Sequence, residues 1–197
     1  TGACRLCMVE VKGRQELVPA CSFPIEENLI IETHSPIVVN ARKTIVELLL
    51  SRHPDDCLYC ERNERCELQT LAYELNIREK RLVMSKNAPG KDLSSQAIHR
   101  DPSKCLLCGR CVRVCKELIG CHIFDFVKRG KQYSIQTAFA KGMNSSNCIY
   151  CGQCVVACPT AAIVDKSNIF SLQKSLAMSN KKNIALYDAL LPQALQL

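Results

Sequence analysis

Cys105-Leu106-Leu107-Cys108-Gly109-Arg110-Cys111-Val112-Arg113-Val114-Cys115 returns later in the chain as Cys148-Ile149-Tyr150-Cys151-Gly152-Gln153-Cys154-Val155-Val156-Ala157-Cys158. Both copies follow C-x2-C-x2-C-x3-C, and a unit repeated twice suggests pseudo-twofold symmetry. A cysteine at every third residue wraps three thiolates around the corners of a cubane. The fourth sits on the helix that follows and points to the neighbouring cluster. By that rule Cys105, Cys108, Cys111 and Cys158 hold one [4Fe-4S] cluster, and Cys148, Cys151, Cys154 and Cys115 hold another. Gly109 and Gly152 are expected to let backbone approach sulfur closely. Pro159 completes a C-P ending in the second copy, whereas Lys116 stands at that place in the first, which is expected to alter the helix rather than remove a ligand. Two four-cysteine zinc sites are the alternative, but zinc ribbons pair C-x2-C knuckles across longer loops.

Between the copies, Ile123 to Val127 and Gln132 to Thr137 alternate around Lys128-Arg129-Gly130-Lys131, a hairpin signal. Upstream, residues 78–103 are polar, hold Asn87-Ala88-Pro89-Gly90 and read as a connector. Before it, Glu67 to Leu75 carries Leu68, Leu71, Ala72 and Leu75 on one helical face, with Cys66 at its start. His53, Cys57, Cys60 and Cys66 form H-x3-C-x2-C-x5-C. A lone histidine after a helix is commonly a capping or core residue. Here it adjoins three cysteines that need a fourth partner, and the set suits a [4Fe-4S] cluster better than zinc. Val38, Val39, Ala41, Ile45, Leu48 and Leu49 predict a helix over residues 38–52, ended by His53-Pro54.

Residues 1–35 read as short strands: Met8 to Lys12 alternates, Gly13-Arg14 turns, Glu16 to Ala20 returns, and Leu29-Ile30-Ile31 follows. Cys4, Cys7 and Cys21 lie among them, three thiolates where a [2Fe-2S] cluster needs four. The expectation is that the chain begins inside a domain and that the missing ligand precedes Thr1. A C-x2-C redox pair is the other reading, although its usual βαβ setting is absent. Cys121 belongs to no group and is expected to be a buried free thiol. Past the second copy, Phe170 to Met178 has helical character and Asn183 to Tyr187 strand character.

Composition fits this picture. The chain has 197 residues, 15 of them cysteine, with 26 Lys+Arg against 19 Asp+Glu and a formal charge of +7. That surplus invites a nucleic-acid partner, and a zinc-dependent nucleic-acid module would explain it, yet aromatics are only 5% and Trp is absent, leaving few stacking platforms. With the cysteines counted as cluster ligands, the bound groups contribute about −6 in all, which brings the charge to about +1. An odd, high cysteine count without a secretory leader points to bound metal in a reducing compartment, the cytoplasm. No apolar run is long enough to span a membrane. Lys104, Arg110, Arg113 and Lys116 flank the first loop, either steering an acidic redox partner or forming a solvated face.

These groups, in this order, resemble the electron-input region shared by [FeFe]-hydrogenase catalytic subunits, the complex I large iron-sulfur subunit and the NAD-dependent formate dehydrogenase α subunit. Gly2 to Val11 with Pro19 to Cys21 resembles the latter part of their [2Fe-2S] motif. Arg42 to Leu75 resembles their one-histidine, three-cysteine segment, and Asp101 to Cys115 with Ser145 to Ala162 resembles their double ferredoxin unit. The resemblance implies an α+β chain. Residues 1–35 would be a truncated β-grasp [2Fe-2S] part, residues 36–80 a small helical histidine-ligated [4Fe-4S] domain, and residues 81–166 a bacterial-type double [4Fe-4S] ferredoxin domain. Residues 167–197 would begin a catalytic-type domain.

Complex I large subunits usually lack the double unit here, and formate dehydrogenases continue into another cysteine motif, whereas residues 159–197 hold no cysteine. Ser167 to Ser179 followed by Lys181 to Leu197 is loosely similar to the hydrogenase entry, with a plain amphipathic terminal helix as the alternative. The implied function is an electron relay through three [4Fe-4S] clusters and one [2Fe-2S] cluster, feeding an [FeFe]-hydrogenase-type site outside this chain. A formate dehydrogenase segment, a complex I-like segment and a stand-alone relay subunit are the alternatives. Expected partners are a flavin subunit oxidising NAD(P)H or a soluble ferredoxin, within a hetero-oligomer. No G-x-G-x-x-G or P-loop is present to bind a nucleotide here.

Overall fold

In the computed structural model, which describes residues 2–84, 88–178 and 182, alternation sets the first sheet. Strand β1 (Met8–Val11) buries Val9 and Val11 and leaves Met8 and Glu10 half-buried. It lies between β2 (Val18–Pro19) and β3 (Ile31–Glu32), antiparallel to both, with Val9 opposite Val18 and Val11 opposite Ile31.

Helix α1 (Pro36–Ser51) starts where Ser35 caps it, its Oγ accepting the Val38 N–H at 3.5 Å, with Pro36 in the first turn, where a missing N–H costs nothing. Arg42 on this helix donates to the Met8 carbonyl at 2.9 Å, so the helix and first sheet are tied directly. Val38 and Val46 are fully buried, but Val39 and Leu48 of the expected apolar face are exposed. Glu47 is buried instead, accepting a hydrogen bond from Arg81 Nε at 3.0 Å. Lys80 donates to the His53 carbonyl at 2.6 Å and Met84 N–H to the Ser51 carbonyl at 2.9 Å. Residues 80–84, expected as plain connector, therefore pack along the end of α1. Helix α2 (Glu67–Glu74) follows, with Cys66 at its N-cap and Leu68 buried.

Strand β4 (Ile98–Arg100) precedes the first cysteine loop and helix α3 (Arg110–Arg113) follows it. The expected hairpin is formed by β5 (Asp125–Val127) and β6 (Ser134–Gln136), with Phe126 opposite Ile135. Helix α4 (Gln153–Ala157) and β7 (Ile163–Asp165) close the second copy, and β7 pairs antiparallel with β4, so one strand pair brackets both loops. The core of this part is Ile98, Val112, Ile123, Phe124, Ile135 and Met143, packed with Cys111, Cys115, Cys154 and Cys158.

Both loops bend at matching places. The residue before the second cysteine and the residue after it are left-handed in each copy: Leu107 (φ 57°) and Gly109 (φ 75°), then Tyr150 (φ 55°) and Gly152 (φ 73°). The glycines are therefore needed for their positive φ as helix N-caps, a different reason from sulfur approach. Gly109 has a further constraint, since a Cβ there would sit 2.9 Å from the Phe126 ring, while Gly152 has open space. After the loops the copies diverge. With Lys116 in place of proline, α3 runs on through a π-helical turn (Val114–Leu118), whereas Cys158 leaves α4 in an extended conformation ahead of Pro159.

The chain divides into two compact units, Thr1–Asp165 and Lys166–Leu197. The second contains α5 (Ile169–Ala177), close to the expected Phe170 to Met178 helix. The strand expected over Asn183 to Tyr187 lies outside the described residues. Substituting alanine at the two loop glycines separates their roles: Gly152→Ala should cost about 1–2 kcal/mol, the left-handed penalty alone. Gly109→Ala should cost about 1–3 kcal/mol more because Phe126 must move, and the unfolding midpoints of the cluster-loaded variants measure the difference.

Candidate metal centres

The crossing of the fourth cysteines follows from α3 and α4 packing beside one another. Cys158, at the end of α4, lines a hollow with Cys105, Cys108 and Cys111. Cys115, past the end of α3, lines a second hollow with Cys148, Cys151 and Cys154. Burial, then the charges of Cys105, Cys158 and Cys108, push the Cys111 thiol far up. Burial, then Cys148, Cys115 and Cys151, push Cys154 to about 11. Thiols pushed up in this way, as Cys111 and Cys154 are, make poor ligands in isolation, but a polycationic core offsets both their burial and the repulsion from neighbouring sulfurs, so these donor sets fit an iron-sulfur cluster. Among the described residues no three His, Cys, Asp or Glu side chains are close-set enough to hold a single ion. The cysteines surround hollows.

Arg100, which no motif marked, is a buried guanidinium lining the first hollow; burial lowers its pKa, while the charges of Cys105 and Cys111 act upward. The second hollow has no cation among its lining residues. Cys121 is half-buried rather than buried, and it lines this second hollow, where Cys115, Cys151 and Cys148 join desolvation in raising it. Its position six residues past Cys115, across the π-helical turn, gave no spacing signal.

Cys57 opens a short 3-10 turn (Cys57–Tyr59), and burial, then the thiolates of Cys60 and Cys66, raise its pKa. Cys60 and Cys66 thus lie within electrostatic reach of Cys57. His53 is buried, lies just past α1 and lines a hollow with Cys105, Leu106 and Leu107, on the side facing the first ferredoxin loop. Its Nδ1 is 3.0 Å from the Pro54 carbonyl. A carbonyl only accepts, so Nδ1 carries the proton and Nε2 the lone pair a metal requires. Lys104 is buried, which corrects its placement on a solvated or docking face: its ammonium lies 3.5 Å from Cys60 Sγ and 2.9 Å from Asp56 Oδ2. Arg110 and Arg113 are exposed but engaged, with Glu67 at 2.6 Å and Glu117 at 3.0 Å.

In the N-terminal set, the β1–β2 register puts Cys7 beside Ala20 and Cys21. Ala20 N–H donates to the Cys7 carbonyl at 2.9 Å, and Cys21 N–H to Cys7 Sγ at 3.4 Å. Gly2 N–H donates to Cys21 Sγ at 3.2 Å; that bond, then Cys7, lowers the Cys21 thiol to about 7. Cys4 lies within electrostatic reach of Arg110.

The histidine segment is fastened to the ferredoxin-like part at Pro159, next to Cys158. Pro159 O accepts the Glu67 N–H at 3.1 Å and faces Cys66 Sγ at 3.7 Å, and Arg62 donates to the Val155 carbonyl at 2.7 Å.

Cysteine sets of these three kinds define an iron-sulfur region carrying both [2Fe-2S] and [4Fe-4S] domains, and comparison with known proteins assigns each part. Residues 1–36 match the 2Fe-2S iron-sulfur cluster binding domain, residues 42–81 the NADH-ubiquinone oxidoreductase-G iron-sulfur binding region, and residues 97–159 the 4Fe-4S dicluster domain. The chain is similar to the NADP-reducing hydrogenase subunit HndD of Solidesulfovibrio fructosivorans, at 40% identity over 91% of this chain and 31% of that protein. It is similar to the NADPH-Fe(3+) oxidoreductase subunit alpha of Geobacter sulfurreducens, at 36% over 84% and 19%. The NADH-ubiquinone oxidoreductase 75 kDa subunit of Reclinomonas americana matches at 30% over 96% and 27%. The chain thus spans less than a third of these relatives. Among solved structures, a chain of an NAD+-reducing [NiFe]-hydrogenase in the H2-reduced state superposes with a TM-score of 0.77 and 26% identity, over 85% of this chain and 70% of that one. Among the described residues no helix is long and apolar enough to cross a membrane.

In cluster-free protein, Cys21 should alkylate with iodoacetamide at a rate that rises with pH and reaches half its maximum near pH 7, as its thiolate forms. Cys111, held protonated in the core, should react only on unfolding, and peptide mapping across a pH series reads both.

Proposed function

We propose that the chain is an electron relay of an oxidoreductase complex, carrying single electrons toward an [FeFe]-hydrogenase-type site that lies outside residues 1–197. The observation that carries this reading is the exchange of fourth cysteines between the two copies, Cys158 with Cys105, Cys108 and Cys111, and Cys115 with Cys148, Cys151 and Cys154. In this assignment those eight residues hold two [4Fe-4S] clusters, His53, Cys57, Cys60 and Cys66 hold a third, and Cys4, Cys7 and Cys21 supply three of four ligands to a [2Fe-2S] cluster. Bound clusters would supply the one-electron chemistry.

The chain's own residues do the rest. Ile98, Val112, Ile123 and Phe124 exclude water around the quartets, which lowers the local dielectric. Backbone N–H groups of Leu107 and Ile123 donate to Cys105 Sγ and Cys115 Sγ, each at 3.4 Å, stabilising thiolate charge. Pro54 sets the His53 tautomer, and Pro159 fixes the spacing between the Cys66 and Cys158 segments. One-electron transfer of this kind needs no side-chain acid or base. Arg110 and Glu67, and Arg113 and Glu117, pair with one another, so these arginines are neutralised locally and offer little free charge to a docking partner.

A donor or acceptor of the flavin or soluble ferredoxin type, a hetero-oligomeric setting and a cytoplasmic location complete the reading, with domains at 1–35, 36–80, 81–166 and 167 onward. The names of the relatives support a hydrogenase or an NAD(P)H-linked oxidoreductase as the whole. The reading frame beyond Leu197 discriminates the readings: H-cluster cysteine motifs would mark a hydrogenase, a molybdopterin domain a formate dehydrogenase, and a stop a stand-alone relay subunit.

Anaerobic reconstitution, iron analysis and EPR of the reduced protein test the cluster assignment. Three [4Fe-4S] signals are expected, and Cys158→Ala should abolish or convert the one held by Cys105, Cys108 and Cys111 while sparing the others. Fewer than three such signals after full reconstitution, or a colourless zinc-loaded protein, would sink the assignment.

A further inference from the structure

Lys104 brings its ammonium to a cysteine sulfur, in a setting that is costly without a reason. It lies outside the apolar hollows yet is buried to 8% exposure, and a buried ammonium needs anionic partners. Two meet it: Asp56 Oδ2 at 2.9 Å and Cys60 Sγ at 3.5 Å. The two partners differ in exposure. Asp56 has 42% of its side-chain surface in solvent, where water screens it, against 11% for Lys104. At the sulfur, the less screened of these two charges is the ammonium, 3.5 Å away. Its backbone is equally placed, since Cys105 follows directly and the Lys104 carbonyl accepts the Thr160 hydroxyl at 2.8 Å, two residues past Cys158. One residue thus joins the Cys57, Cys60, Cys66 segment to the loop of the neighbouring quartet.

We infer that Lys104 is a positioning residue that raises the reduction potential of the histidine-containing site, by donating an N–H···S hydrogen bond and a fixed positive charge to Cys60, with Asp56 holding its ammonium in place and partly opposing it. This rests on the reading that His53, Cys57, Cys60 and Cys66 hold a [4Fe-4S] cluster. One electron enters the site, no bond to Cys60 forms or breaks, and the added negative charge is stabilised by the ammonium beside it. The hollow of Cys115, Cys148, Cys151 and Cys154 has no lysine or arginine in its lining, so it serves as an internal reference.

The test is EPR-monitored redox titration of the reconstituted full chain, with Lys104→Met and Asp56→Asn. Removing the ammonium should move the midpoint of the histidine-containing cluster to lower potential. Removing the carboxylate charge while keeping its shape should move it higher. The cluster of the internal reference should move in neither. Opposite shifts at one site are what electrostatic tuning requires, and general loosening would shift both variants alike. A midpoint unchanged in both variants overturns the inference. Should Lys104→Met fail to assemble this cluster, Lys104→Gln takes its place, a downward shift supporting the inference and no shift overturning it. Absence of the third [4Fe-4S] signal from the unsubstituted protein is a separate result, and it rejects the cluster assignment on which the inference depends.

Discussion

Sulfur and hydrocarbon occupy the same space in this chain. Cys111, Cys115, Cys154 and Cys158 are members of the apolar core together with Ile98, Phe124, Ile135 and Met143, and everything from β4 to β7 packs around them. An apolar interior favours neutral thiols, whereas cluster ligation demands thiolates. The upward pressure on Cys111 and Cys154 is the measure of that conflict. A polycationic core resolves it, so cluster binding would add to the stability of the folded core. The basic surplus of the sequence has its place in the same balance. Two basic residues, Arg100 and Lys104, are buried close to cysteine sulfurs, while the exposed Arg110 and Arg113 are cancelled by Glu67 and Glu117.

The histidine segment is attached to this core by contacts at both of its ends. Arg62, Cys66 and Glu67 reach Val155 and Pro159 on one side, and Lys104 reaches Asp56 and Cys60 on the other. Along the back of α1, Arg81 and Lys80 return to Glu47 and the His53 carbonyl, so the chain after α2 closes over the same helix. In the proposed relay such fastening matters more than any single affinity, because electron tunnelling rates depend on fixed separations between sites.

Much of the centre was legible because cysteine spacing encodes geometry over a few residues. A thiol every third residue tends to wrap, and the helix after it carries the next thiol away, so the hollows that Cys158 and Cys115 line could be anticipated before any packing was known. The helix beginning at Ser35-Pro36 and the hairpin around Lys128 to Lys131 were equally local. What the sequence could not reveal depended on distant partners. A lysine before a cysteine looks like any surface lysine until Asp56 and Cys60, more than forty positions earlier, fold onto it. Glu47 in a helix looks solvated until Arg81 arrives. Leu107 and Tyr150 carry left-handed backbone without being glycine, a strain imposed by the loop's closure that their own side chains do nothing to announce. Cys121 joined a hollow through a π-helical turn, and no spacing rule anticipates that extra residue per turn.

Pro159 and Lys116 occupy equivalent places in two copies of one motif, and their difference makes the repeat directional. Where the chain breaks after α4, a carbonyl is released from helical bonding and becomes the anchor for Cys66 and Glu67. Where Lys116 lets the turn run on, the Cys115 carbonyl is taken up locally by the Cys121 N–H at 3.0 Å. The two copies of the unit thus have unlike ends, one joined to the histidine segment and one closed on itself. A single imino acid at the end of one copy is enough to decide which of the two is fastened to the histidine segment.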